Sequence, residues 1–143
     1  MSNSLVDDRL IRFLLHDVYP VETLLELEAF SGHDVELVEL YLETARRFAR
    51  ERLFPAYRPM DEAPPELVDG GVAVHPLMHG LYPQLVELGT IGATRSEAVG
   101  GAQLPHLVTT MANIYLMAGN AAAVGYALLT AGAAHLVEIF GDE

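Results

Sequence analysis

Residues 98–137 contain no Asp, Glu, Lys or Arg, whereas the rest of the chain carries twenty acids and eight bases. A surface of that kind must be covered by a membrane, by a partner chain, or by another part of the same protein. A transmembrane hairpin needs two apolar runs of about 20 residues each. Residues 105–118 are too few for one crossing, and Thr109, Thr110, Asn113 and Asn120 add polar groups, so membrane insertion is not expected. The pairs Ala121/Gly125 and Ala118/Ala122 match the small-xxx-small spacing of closely packed helices. Small residues on every side of the last helix imply near neighbours all round it, a position central to a larger protein.

The length of 143 residues is that of one domain, and 51% hydrophobic against 20% charged residues describes a folded rather than a disordered chain. The formal charge is −12 and every base is Arg, which argues against a nucleic-acid partner, since phosphate backbones need a cationic stripe. The one basic cluster, Arg46, Arg47, Arg50 and Arg52, is interleaved with acids and reads as a solvated helix face. With no Cys, disulfides and thiolate chemistry are excluded. The opening "MSNSLVDDRLIRF" has acids before its apolar run and no cleavage pattern, so a cytoplasmic location is the expectation.

Helical spacing runs through the chain, and the expected fold class is all-α, a helical bundle. Leu10, Phe13, Leu14 and Val18 form one stripe, stopped by Pro20. "VETLLELEAFSG" is a second short helix closed by Gly32. Asp34 is a good N-cap for "VELVELYLETARRFARERLF", whose apolar face comprises Val35, Val38, Tyr41, Leu42, Ala45, Phe48, Ala49 and Leu53. Pro55 and Pro59 are expected to end it. A loop rich in Pro, Gly and acids follows, with at most a brief extended turn at residues 72–74 and no strand pattern long enough for a sheet. Pro76 opens a helix that Gly80 and Pro83 kink or shorten; a loop covers residues 89–104. Pro105 opens the next helix, Gly119 ends it, and Asn120 caps the last one through Phe140.

Few residues suggest chemistry of their own. His75 and His79 stand four apart, but no Glu follows the first and no third ligand is apparent, so no metal site is expected. His16, His33, His106 and His135 are scattered, and the carboxylates fall opposite the apolar stripes. Gly100 and Gly101 precede a helix, yet they lack the spacing and the Lys of a phosphate loop and read as a tight turn.

"LGTIGATRSEAVGGAQLPHLVTTMANIYLMAGNAAAVGYALLTAGAAHLVEIFGDE" resembles the N-terminal helical domain of the acyl-CoA dehydrogenases. The shared features are an L-G-x-x-G turn, an acid-bearing turn ending in Gly-Gly, two apolar helices and a closing F-G-D/T-E. "DRLIRFLLHDVYPVETLLELEAF" and the helix after Asp34 resemble the extended N-terminus of the long subgroup that includes 3-methylmercaptopropionyl-CoA dehydrogenase. In "RSEAVGG", Ser96 replaces the family's usual Pro and Val99 its aromatic.

The resemblance implies that residues 1–143 are the N-terminal helical domain, with 1–33 as a helical extension, of a parent that continues into Q-K, a β-domain and a C-terminal helical domain. Those further parts are absent from this sequence, which on this reading is a fragment. It also implies FAD in the parent, an acyl-CoA substrate, dehydrogenation between Cα and Cβ, and a homo-oligomeric assembly. The family's catalytic Glu lies in the C-terminal region, so no catalytic, cofactor-binding or metal-binding residue is expected here, and the chain alone is expected to be inactive and to bind no FAD. Ala121, Val124, Gly125 and Leu128 share a helix face at three- and four-residue spacing; the resemblance sets that helix beside the acyl chain and makes them the candidate substrate-binding residues. A free-standing helical module that docks a protein or membrane is the alternative.

Overall fold

A computed structural model describes residues 5–141, and the fold is all-α with one small hairpin. Helix α1 (Asp8–Arg12) is capped by Asp7, whose side chain accepts from the Arg9 N–H, and it continues as a π-helical turn, Phe13–Val18. After Pro20 come α2 (Val21–Leu25) and a 3-10 turn, Glu28–Phe30. Asp34 caps α3 (Val35–Phe48) by accepting from the Leu37 N–H at 2.8 Å.

Pro55 and Pro59 do not end this helix. It passes through a π-helical turn, Ala49–Leu53, and straight into α4 (Phe54–Glu62). A π-turn shifts the bonding register from i−4 to i−5, which loosens the ladder where Pro55 enters and relieves the clash that a proline ring makes with a bonded carbonyl. Burial of Ala49, Leu53 and Ala56 holds the continuous helix against the core despite the missing N–H groups.

The Pro- and Gly-rich loop contains a hairpin, β1 (Glu66–Val68) and β2 (Gly71–Ala73), antiparallel with Leu67 opposite Val72. Asp69 and Gly70, both at positive φ, make the two-residue turn that Asp-Gly favours in hairpins. Both strands are exposed, so this sheet stands outside the core and the fold remains helical. Helix α5 (Met78–Glu87) carries Pro83 internally and buries Met78, Leu81 and Leu85.

The segment before the last helix is a knitted loop. Ala102 N–H donates to the Gly92 carbonyl, Gln103 N–H to that of Arg95, and Leu104 N–H to that of Ala93. Ser96 caps the 3-10 turn Glu97–Val99 by accepting from the Ala98 N–H. A Cβ on Gly101 would lie 2.1 Å from the Arg95 carbonyl oxygen, so only glycine fits there.

Helix α6 (His106–Phe140) consists of two helices joined at Asn120, whose φ of −166° and ψ of 90° break the run. The Asn120 side chain accepts from the Ala123 N–H at 3.0 Å and so caps the second half, as its sequence position implies. The first half supplies the centre of the core through Val108, Met111, Ala112, Tyr115 and Leu116. At Gly119 the helix backbone comes against α3 and its π-turn: a Cβ there would stand 2.9 Å from the Ala49 carbonyl oxygen.

Two expected faces are rotated. Along α1 and its π-turn the buried residues are Ile11 and Leu15, while Leu10, Phe13 and Val18 are exposed and Leu14 is half-buried. Ile11 and Leu15, four apart, take the core positions, and Asp8 on the same side of α1 docks on Arg46 (2.7 Å) and Arg50 (2.9 Å). For the same reason the basic cluster is not one solvated face. Arg46 and Arg50, four apart, turn inward to Asp8, and Arg47 and Arg52 remain exposed. Burial alone would raise the Asp8 carboxyl, but hydrogen bonds from the two guanidiniums outweigh it and hold it below its ordinary value of 3.8. Tyr115 beside it is pushed up to about 12, first by burial and then by the Asp8 charge.

His16 joins the N-terminal segment to α3, its Nδ1 lying 2.7 Å from Glu22 and its Nε2 2.9 Å from Glu39. Burial alone would lower its pKa, but the two carboxylates outweigh it and raise the value above 6.5. A raised folded-state value stabilises fully below pH 6.5 and loses that contribution as pH rises through the folded value. The denaturant midpoint is therefore expected to fall on going from pH 6 into the alkaline range, and His16→Gln to flatten that slope. An unchanged slope in the variant would show that His16 is not the responsible group.

Candidate functional site

The second half of α6 forms the floor of a groove made of two clefts that meet at Met78 and Tyr126. The first, about 240 Å³, is walled by Tyr57 and Met60 of α4, by Pro64 and Pro65, and by His75. The second, about 390 Å³, is walled by Val74 after the hairpin and by His79, Tyr82 and Pro83 of α5. Asn120 and Ala122 line the first and Thr130 the second, so the floor residues 122, 126 and 130 follow the four-residue spacing of one helix face.

Each wall follows from a local feature already described. The proline-bearing continuation of α4 carries Tyr57 and Met60 beyond the point where a helix ending at Pro55 would have stopped. The Asp-Gly turn folds the following loop back and brings Val74 and His75 toward α6. Met78 is buried and forms the junction; Asn120 is 1% exposed, with Nδ2 facing the Met60 sulfur at 3.4 Å and Oδ1 committed to the helix cap.

Such a lining can hold an apolar or aromatic group and offers a few polar edges; the chemistry of a nucleophile with its base is not assembled in it. Nor does it suit a flavin dinucleotide. Asp61 is the charged residue among the linings and no Arg is present, whereas a pyrophosphate calls for cations or a glycine-rich helix start.

The four residues singled out in the sequence do not form one wall. Val124 is fully buried in the core, Leu128 is half-buried against it, Gly125 has nothing within 4 Å of a would-be Cβ, and Ala121 is exposed. The groove uses Ala122, Tyr126 and Thr130 instead, one position away. The small-residue contact is likewise shifted: Gly119 and Ala123 are buried, while Ala118 and Ala122 are exposed. Nothing in the sequence separates two adjacent faces that are both small and apolar. The signal that could have done so is Asn120, whose cap fixes where the helix starts, taken with Tyr126 and Thr130 at six and ten residues beyond it.

His75 accepts from the Leu77 N–H through Nδ1 and caps the turn leading to α5. Among the described residues no group of three or more His, Asp or Glu side chains could hold a metal ion. Gly100, at φ 80°, and Gly101 form the tight turn expected of them. Arg95 of the same loop reaches the end of α6, with Nη1 2.9 Å from Glu138 and in contact with His135. A separate, almost wholly apolar cleft of about 510 Å³ lies between α3 and this loop, lined by Leu37, Leu40, Tyr41, Leu88 and Leu104.

A family model described as "Acyl-CoA dehydrogenase, N-terminal domain" matches residues 36–143. No curated protein and no solved structure matches. The matched region contains α3 to α6 and the groove, apart from the closing Asp142 and Glu143, which lie outside the described residues; α1 and α2 precede it.

Proposed function

The chain belongs to the acyl-CoA dehydrogenase family as an N-terminal domain, and from that premise we propose that the groove along the second half of α6 is one wall of an acyl pocket. The observation that carries this reading is the lining itself: a mostly apolar trough with three Tyr among its residues, within the region that the family model matches. Ligand sites are of this kind, mostly apolar with few polar groups. The parent enzyme, on this proposal, uses FAD to oxidise an acyl-CoA thioester between Cα and Cβ. The flavin supplies hydride acceptance when bound. This chain's residues enclose the acyl tail and exclude water from it, while β- and C-terminal domains of the parent hold the flavin and the catalytic Glu.

We further propose that residues 1–33 are the extension of the long subgroup resembling 3-methylmercaptopropionyl-CoA dehydrogenase, and that the sequence is a fragment of a cytoplasmic homo-oligomer, inactive and without FAD on its own.

Substitution of the two adjacent faces tests the pocket. In the chain rejoined to its β- and C-terminal domains, Ala122→Leu is expected to cut activity toward bulky acyl-CoA by about tenfold or more, the loss of room being comparable to misfitting a methylene or two. Gly125→Leu is expected to leave it unchanged, with flavin content constant in both. Equal activity of Ala122→Leu on every substrate would sink the assignment.

A second reading has one observation in its favour. Leu129, Leu136, Val137, Ile139 and Phe140 are exposed on a helix long and apolar enough by composition to cross a membrane. A free-standing module would use that face to dock a partner.

A further inference from the structure

The groove's lining selects among acyl groups. Tyr57, Tyr82 and Tyr126 stand around it, with Met60 and Met78 between them and His79 at one side. Straight saturated chains are matched by Leu, Ile and Val, and Val74 is the aliphatic β-branched side chain in these linings. Aromatic rings prefer other ring edges and faces, and thioether sulfurs make favourable contacts with ring edges. Asp61, which is exposed, borders the first cleft, and no Arg lines either one to meet a second carboxylate. A terminal carboxylate would therefore meet like charge there.

We infer that the groove takes acyl groups ending in an aromatic ring, as arylalkanoyl thioesters, in preference to straight alkanoyl or ω-carboxyacyl ones. This rests on the reading of the groove as an acyl-pocket wall. Tyr126, at the junction of the two clefts, is the residue that sets the preference, and the buried Met78 lines the same junction.

The test uses the 143-residue chain and three short thioesters of N-acetylcysteamine, which lack the CoA nucleotide: 3-phenylpropionyl, octanoyl and glutaryl. Methionine methyl signals are followed by NMR during each titration. The phenylpropionyl ester is expected to bind about three- to tenfold more tightly than the octanoyl ester, the range that one good aromatic contact supplies, and to move the Met60 and Met78 methyls by its ring current. Glutaryl is expected to bind weakest. Tyr126→Ala should remove the aryl preference and Tyr126→Phe retain it, with Tyr82→Ala as the second variant should Tyr126→Ala fail to fold. Octanoyl binding as tightly as phenylpropionyl, or a preference that survives both alanine variants, overturns the aryl inference and leaves the acyl wall standing. Binding of none of the three also overturns the aryl inference, and the acyl wall itself then stands or falls on the Ala122→Leu comparison in the rejoined enzyme.

Discussion

Replacement of Gly119 by alanine is expected to lower the melting temperature, and replacement by valine to lower it further, by about 5–10 °C. The reason is the crossing of α6 over the π-turn after α3. A Cβ at position 119 would sit 2.9 Å from the Ala49 carbonyl oxygen and 3.0 Å from the Leu53 Cβ. Neither is the free end of a flexible side chain, so the helices must separate. Overpacking of this kind costs about 1–3 kcal/mol, and in a chain of this length each kcal/mol is worth about 3–4 °C. Gly125 is the internal control. Its would-be Cβ meets nothing within 4 Å, so Gly125→Ala should gain up to about 1 kcal/mol from helix propensity. If Gly119→Ala melts at or above the parent temperature, the close crossing is wrong.

The second large effect concerns association. Leu129, Ala133, Leu136, Val137 and Phe140 follow one another along α6 at helical spacing, with Leu129 79% and Phe140 76% exposed. Monomers seldom present apolar patches above several hundred Å², so sedimentation of the chain is expected to show dimers or larger species. Introducing Leu136→Asp and Phe140→Asp together should convert it to monomer without loss of helicity, since neither side chain belongs to the core. A parent chain that sediments as a monomer and binds no hydrophobic dye would show that the face is tolerated in water.

Much of the architecture was legible in the residues. Asp34 as a cap, the break at Gly119 and Asn120, and the stripe from Val38 to Leu53 follow from local rules that the structure obeys, with Tyr41 and Phe48 partly buried; Val35, at the head of that stripe, is exposed instead. Elsewhere a tertiary effect outweighs a local one. Proline at positions 55 and 59 reads as a stop, but buried Leu53 and Ala56 hold the helix together through a π-turn that no periodicity announces. Leu10 and Phe13 read as core, but Ile11 and Leu15 occupy it, beside an ion pair that Asp8 makes with Arg46, 38 residues further along the chain. The uncharged stretch divides in the same manner. Up to Ala127 it buries one side of α6, through Val108, Ala112, Leu116, Ala123 and Ala127, and beyond that it is left with the exposed face described above. Ala121 and Ala122 are chemically identical in the sequence, and only the three-dimensional position of Tyr126 tells which face of the helix lines the groove.

The family pattern begins at residue 36, yet Ile11, Leu15 and Val21, all before it, are among the buried side chains of the common core. Asp8, further upstream, is the counter-ion shared by Arg46 and Arg50. An expression boundary drawn at the edge of the pattern would thus uncover the core where Ile11, Leu15 and Val21 pack and remove the carboxylate that Arg46 and Arg50 share. The unit that homology recognises and the unit that folds have different edges. An N-terminal segment outside the recognised pattern shares one hydrophobic core with the helices inside it.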